Sequence, residues 1–155
     1  MKVKRIISGG QTGADRGGLD AAIDLGIPHG GWCPKGRRAE DGAIPSKYRL
    51  RESESPDYPV RTEQNVLSSH GTVVFTFGRP KAGSALTIRL ARKHKKPVIH
   101  IDLEQRSPGD AVNRLREWIE ENGVAILNVA GSRESNAAGL EKLVHKIVAS
   151  AFGAK

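Results

Sequence analysis

Ile6-Ile7-Ser8-Gly9-Gly10-Gln11-Thr12-Gly13-Ala14-Asp15-Arg16-Gly17-Gly18-Leu19-Asp20 is the stretch that decides the fold. A β-branched run stops at glycines and helical spacing then begins, which reads as strand, tight turn and helix N-terminus. The first amides of a helix lack partners within it, and the dipole there favours anions. Glycine has no side chain to keep a phosphate away from the backbone N–H groups. The stretch therefore predicts a phosphate cradle from the amides of Gly9, Gly10 and Thr12, with Arg16 adding a forked contact one turn later.

The same strand-to-helix switch recurs along the chain. The first helix is expected from Gly13 to Leu25, with Leu19, Ala22 and Ile23 on one face and Gly26 and Pro28 ending it. Residues 27–59 have poor periodicity. They read mostly as loop, with a short strand near His29 and a small edge strand around Tyr48, Leu50 and Glu52. Their cations Lys35, Arg37, Arg38, Lys47, Arg49 and Arg51 suit either a lid over an anion or a solvated loop. A short helix from Thr62 to Leu67 precedes Thr72-Val73-Val74-Phe75-Thr76-Phe77, a run apolar enough for a strand buried on both faces. It ends in a second glycine cluster, Gly78 to Ser84, and a helix from Ser84 to Lys93 follows. Pro97 to Asp102 reads as another buried strand. Ser107-Pro108 opens a helix faced by Ala111, Val112, Leu115, Trp118 and Ile119. The last strand, Val124 to Val129, runs into a third cluster before a helix striped by Leu140, Leu143, Val144, Ile147, Val148 and Ala151.

Buried strands alternating with amphipathic helices predict one α/β domain over residues 1–155. The expected architecture is Rossmann-like: a single open, mostly parallel β-sheet flanked by helices on both faces. In such sheets ligands bind beyond the carboxyl ends of the strands, where strand order reverses. All three glycine clusters follow strands. The first strand and the 72–77 strand are expected to flank the reversal, so that loops 9–13 and 78–84 face each other across a crevice.

The chain has 155 residues, a formal net charge of +8 and a pI of about 9.9, which implies a polyanionic or phosphorylated partner. Only 5% of residues are aromatic, so stacking platforms are scarce and nucleic acid ranks below a small phosphorylated ligand. The single cysteine, Cys33, excludes an internal disulfide; without other ligands at metal spacing it reads as a small buried residue, and no metal site is expected. The charged amino terminus, Met1 to Arg5, leads into too short an apolar run for a leader, and no long apolar run exists elsewhere. The expected place is the cytoplasm, with no membrane.

Common nucleotide fingerprints fit badly. The first loop lacks G-x-G-x-x-G, and no acid ends a second strand ~20 residues on, which argues against NAD. Gly78-x-x-x-x-Gly83-Ser84 has the outer glycines of a P-loop without its lysine, so Mg-dependent NTP hydrolysis is not expected.

Six segments together resemble one family. They are Ser8 to Arg16, Gly31-Trp32-Cys33-Pro34-Lys35-Gly36-Arg37, Arg61-Thr62-x-x-Asn65 within Tyr58 to Asn65, Gly71-Thr72, Gly83-Ser84-x-x-Thr87, and Asn128-Val129-Ala130-Gly131. The chain resembles, over nearly its whole length, the molybdenum (molybdenum cofactor) carrier family. The resemblance implies a Rossmann-like domain related to the lysine-decarboxylase-like, or Lonely Guy, nucleotide-binding proteins. It also implies a homo-oligomer that binds molybdenum cofactor (molybdopterin), a pterin with a terminal phosphate, with molybdoenzymes as acceptors. One departure is His70, where an acidic residue is expected; it could serve the site or only the strand entry.

The related hydrolases cleave a nucleotide N-glycosidic bond with a Glu shortly after the second glycine motif. Gly83 to Arg89 carries no carboxylate, so a binding protein is preferred, and a phosphoribohydrolase-like nucleotide hydrolase is the alternative. Asp15, Asp20 and Glu134 are the remaining acids. Asp15 reads as a helix cap or partner of Arg16, and Glu134 as support for Arg133. No catalytic residue is assigned. The expected binding set is Gly9, Gly10, Gln11, Thr12, Gly13 and Arg16 on the first loop and Lys35 on the long connection. To these are added Thr62 and Asn65, then Gly83, Ser84 and Thr87, and finally Asn128, Gly131 and Arg133. Ser84 and Thr87 would take a second anionic or hydroxyl group, Asn65 and Asn128 would read ring edges, and Arg133 would close the site.

Overall fold

In a computed structural model of the chain, residues 3–153 are described. Met1 and Lys2, part of the amino-terminal stretch read for a leader, lie outside the described residues. β1 (Arg5–Ile7) ends at the first glycine cluster, and α1 (Ala14–Leu25) follows. Gly26 closes α1 in the left-handed conformation at φ 67°, as the spacing predicts. The connection over 27–59 holds five two-residue strands: β2 (His29–Gly30), β3 (Trp32–Cys33), β4 (Arg38–Ala39), β5 (Gly42–Ala43) and β6 (Arg51–Glu52). Then come α2 (Tyr58–Ser68), β7 (Gly71–Thr76), α3 (Ala82–Lys93), β8 (Val98–Asp102), α4 (Pro108–Asn122), β9 (Ile126–Gly131) and α5 (Leu140–Phe152).

Five strands form the main sheet in the order β2-β1-β9-β7-β8, and every pairing is parallel. Two βαβ units, β1–α1–β2 and β7–α3–β8, wind outward to opposite edges. Helices α1, α4 and α5 pack together on one face, and α2 packs with α3 on the other. The α/β, Rossmann-like sheet flanked on both faces is therefore as expected.

Two expectations are corrected. The first concerns the reversal: β9 is inserted between β1 and β7, so the loops after those two strands are separated by a whole strand. Asn128 of β9 registers with Ile7 on one side and Thr72 on the other. The second concerns β8, which is an edge strand. Four of its five residues are half-buried, whereas all six of β7 are buried.

The larger core joins Ile6, Val73, Phe75, Leu127 and Val129 of the sheet to Leu115 of α4 and Leu140, Val144 and Ile147 of α5. Gly17 and Gly18 decide how α1 sits on it. A Cβ at Gly17 would meet the Glu141 carbonyl at 2.6 Å, and one at Gly18 would meet Val129 at 2.7 Å, so the helix lies close against both α5 and β9. That contact turns Ile23 outward, at 41% exposure, against the expectation that it shares a core face with Leu19 and Ala22. Leu19 instead joins Cys33, Ala39, Ile44 and Tyr48 in a smaller cluster beneath the long connection.

Candidate functional site

The glycine loop after β1 is saturated by the chain itself. The Gly10 N–H donates to Ser8 Oγ (3.2 Å), the Gln11 N–H to Asp15 Oδ2 (3.2 Å), the Thr12 N–H to Gln11 Oε1 (3.1 Å) and the Gly13 N–H to Glu141 Oε1 (2.9 Å). The protein's own acceptors, the Asp15 and Glu141 carboxylates among them, fill the loop where the sequence predicts a phosphate. Arg16 follows suit. Its fork is held by Asp41 at 2.6 and 2.8 Å and its Nε by the Gly10 carbonyl at 3.0 Å. The expected contact of Arg16 with a phosphate is thereby replaced by an internal ion pair.

A different arginine lies over the loop. Arg61 of α2 donates from Nη1 to Asp15 Oδ2 at 3.1 Å, and both side chains are about nine-tenths buried. Gly9 makes room for it, since a Cβ there would fall 1.5 Å from Arg61 Nη1. Burial pushes the Asp15 carboxyl above the ordinary carboxylate range, while Arg61 and the Gln11 and Gly9 amides pull it down. Asp15 thus pairs with Arg61 and not with Arg16.

Glu40, from the β4–β5 hairpin, ties the first loop to the third. It accepts from Thr12 Oγ1, from Ser135 Oγ at 2.5 Å and from the Ser135 N–H at 3.1 Å. Burial pushes its carboxyl up, but the Ser135 and Thr12 hydrogen bonds outweigh that and hold it below the usual carboxylate range. The Arg16 hydrogen bond likewise lowers Asp41. A folded pKa below the unfolded one supplies stability that is present above the unfolded value and lost as pH falls through the folded one. The melting temperature should therefore drop as pH falls below about 4, through release of the 38–43 hairpin. Thermal scans at several pH values, with Glu40→Gln flattening the dependence, check this.

Beside this loop opens a cavity of about 720 Å³, walled by α2, the first turns of α3 and the end of β9. Of the expected binding residues, Gly9, Gln11, Thr62, Asn65, Gly83, Ser84, Thr87, Asn128, Gly131 and Arg133 line it, and Gly10, Thr12, Gly13, Arg16 and Lys35 do not. Several lining side chains serve the fold. Both ends of the Asn65 amide clamp the Trp32 peptide, at 2.8 and 2.9 Å. Asn128 Nδ2 donates to Thr72 Oγ1 at 3.2 Å, and the Thr62 and Thr87 hydroxyls donate to helical carbonyls one turn back.

The first turn of α3 is different. Ser84 Oγ accepts from the Lys81 N–H at 3.0 Å and donates to the Lys81 carbonyl at 2.8 Å, which secures the helix start. The amides of Ala82 and Gly83 have no partner among the described residues. Ala82 holds a φ of 44°, uncommon for a residue with a side chain. Arg79, Lys81 and Arg89 stand at this end of the cavity, and no acid lies in the helix's first turn. Asp15 is the acidic residue among those lining the cavity. Sequence reasoning left Arg61, Tyr58, Arg79 and Lys81 out of the site. The Arg61-Thr62-x-x-Asn65 spacing carried the signal for the first, because it puts Arg61 and Asn65 on one helical face.

The long connection is no lid in this structure. Arg37 donates to the carbonyls of Ile44, Pro45 and Tyr48, Arg38 to that of Pro56, and Arg51 lies over the Trp32 ring at 5.0 Å. These cations hold the segment together, and Lys35 is exposed away from the cavity. His70 serves the strand entry, its Nδ1 accepting from the Ala125 and Ile126 amides. Glu134 caps α5 by accepting from the Gly139 and Glu141 amides, so it does not support Arg133. Cys33 is buried, and burial pushes its thiol up. No group of three potential metal ligands occurs among the described residues.

A doubly wound parallel sheet flanked by helices on both faces defines the chain as a Rossmann-like α/β protein. Residues 6–152 match the model of the circularly permutated YpsA SLOG family, and the chain belongs to that family. It is also similar to the crystal structure of a putative molybdenum carrier protein from Syntrophus aciditrophicus SB. Identity is 45%, the TM-score is 0.95, and the match covers 98% of this chain and 96% of that one. The resemblance read from the motifs is borne out by both. None of the curated proteins compared matches the chain. Among the described residues no helix is long and apolar enough to cross a membrane.

Proposed function

We propose that the chain is a carrier that holds molybdenum cofactor as its cargo in this cavity, with the terminal phosphate of the pterin at the N-terminus of α3. The observation that carries the reading is the pair of free amides at Ala82 and Gly83, facing a cavity with Arg79 and Lys81 beside them. Unpartnered helix-start amides and nearby cations form an anion site, whereas the amides after β1 are already spent. The name of the 45% identical relative supports the cargo. In this role the protein works as a homo-oligomer in the cytoplasm and hands its cargo to molybdoenzymes.

Titration calorimetry at low salt tests the phosphate site. A phosphorylated pterin and AMP should both bind, the dephosphorylated pterin should bind at least about tenfold more weakly, and Lys81→Ala should weaken the phosphorylated ligands. Absence of heat with every phosphorylated ligand would refute the proposal. A nucleotide N-glycosidic hydrolase would instead release free base from AMP and lose turnover in Asp15→Asn. The burial of Asp15 and its ion pair with Arg61 favour the carrier, because a general acid or base must reach the substrate to exchange a proton with it.

A further inference from the structure

At the β1 end of the cavity two buried donors have no acceptor. Gln11 is 6% exposed and Arg61 8%, and both line the cavity. Gln11 Oε1 accepts from the Thr12 and Glu40 amides at 3.1 and 2.9 Å, which identifies the other end of the side chain as the NH₂ group. That Nε2 has no partner. Arg61 spends Nη1 on Asp15, and its Nε is equally unpaired. Buried donors are nearly always satisfied, so two orphans in one cavity wall call for an acceptor-rich guest.

Arg133 supplies charge at the same place. Its guanidinium and that of Arg61 lie over the Tyr58 ring at 5.5 and 5.3 Å, and its nearest carboxylate contact, Glu40, is 3.8 Å away, too long for a hydrogen bond. Asp15 offsets Arg61 and Glu40 partly offsets Arg133, but the Arg133 guanidinium keeps N–H donors with no hydrogen-bond partner among the described residues. The α3 end lies beyond the carboxyl terminus of β7, with β9 between it and β1. Adjacent strands stand about 4.8 Å apart, so two steps put the ends about 10 Å from each other.

We propose that the cavity takes a two-headed ligand, with its phosphate monoester at α3 and a second oxyanion, about 10 Å away, held by Gln11 Nε2, Arg61 Nε and Arg133. This rests on the reading of α3 as the phosphate end. The second group offers at least two acceptor oxygens, one for each orphan donor. A ligand whose far end carries no acceptor atoms leaves both donors unmet.

Calorimetry on the full chain with hexyl phosphate and hexane-1,6-diyl bisphosphate tests it. The bisphosphate should bind at least about tenfold more tightly than the monophosphate. Gln11→Glu keeps the acceptor oxygen for the two amides but puts negative charge where the oxyanion would sit. It and Arg133→Ala should each erase the advantage of the bisphosphate over the monophosphate. Lys81→Ala should weaken both ligands. Equal affinities in the unmodified protein, or an advantage that survives both substitutions, would overturn the second subsite while the α3 site stands. If neither compound binds, the α3 reading falls and this inference falls with it.

Discussion

Arg61→Ala should destabilise the protein by about 3–5 kcal/mol, because it strands the buried Asp15 carboxylate. The pair is separated by 3.1 Å, with side-chain exposures of 10% and 8%. Asp15 would keep the Gln11 amide and lose its cation, in surroundings that already push its proton affinity up. Denaturant unfolding of Arg61→Ala, Asp15→Asn and the double variant measures the effect. The double variant should recover part of the loss, since the uncompensated charge is gone. A loss below about 1 kcal/mol for Arg61→Ala would mean that water reaches the pair and that it behaves as a surface contact.

Gly131→Ala should be nearly as severe, at about 3 kcal/mol or more. Its φ of 151° lies where side chains are rarely tolerated. A Cβ would meet the Phe75 carbonyl at 2.1 Å, the Phe75 N at 2.9 Å and Ala14 Cβ at 2.7 Å. Two of these are backbone atoms of β7, a strand buried along its whole length, so the clash cannot be relieved by a rotamer change. Gly83→Ala is the contrast. Nothing lies within 4 Å of its added Cβ and the position is helical, so the change should be stabilising by about 0.5–1 kcal/mol while the amide stays in place. Thermal or chemical denaturation of the two variants side by side gives the comparison. Similar midpoints would refute the steric account of the third glycine loop.

Gly131 also shows why part of the site was hidden in the sequence. Its place in a strand-to-loop glycine cluster is a local pattern and was legible. Its reason for being glycine, the Phe75 backbone, lies 56 residues away in sequence, on a strand that becomes its neighbour only because β9 inserts beside β7. The first loop makes the same point with charges. A glycine run opening a helix predicts free amides, yet those amides are met by Asp15 from within α1 and by Glu141 from α5, while Glu40 binds the Thr12 hydroxyl from the β4–β5 hairpin. Nothing in the spacing of Ser8 to Arg16 announces the last two partners.

Residue order alone determined the alternation of strands and helices, the left-handed glycine stop at Gly26, the parallel Rossmann-like sheet and the edge at which its glycine loops gather. Those features depend on propensities and periodicities a few residues long. Tertiary structure alone decided which loop keeps free amides and which arginine lines the cavity. Each depends on a pairing across many tens of residues, between groups whose mutual attraction is set by burial and distance in the folded chain.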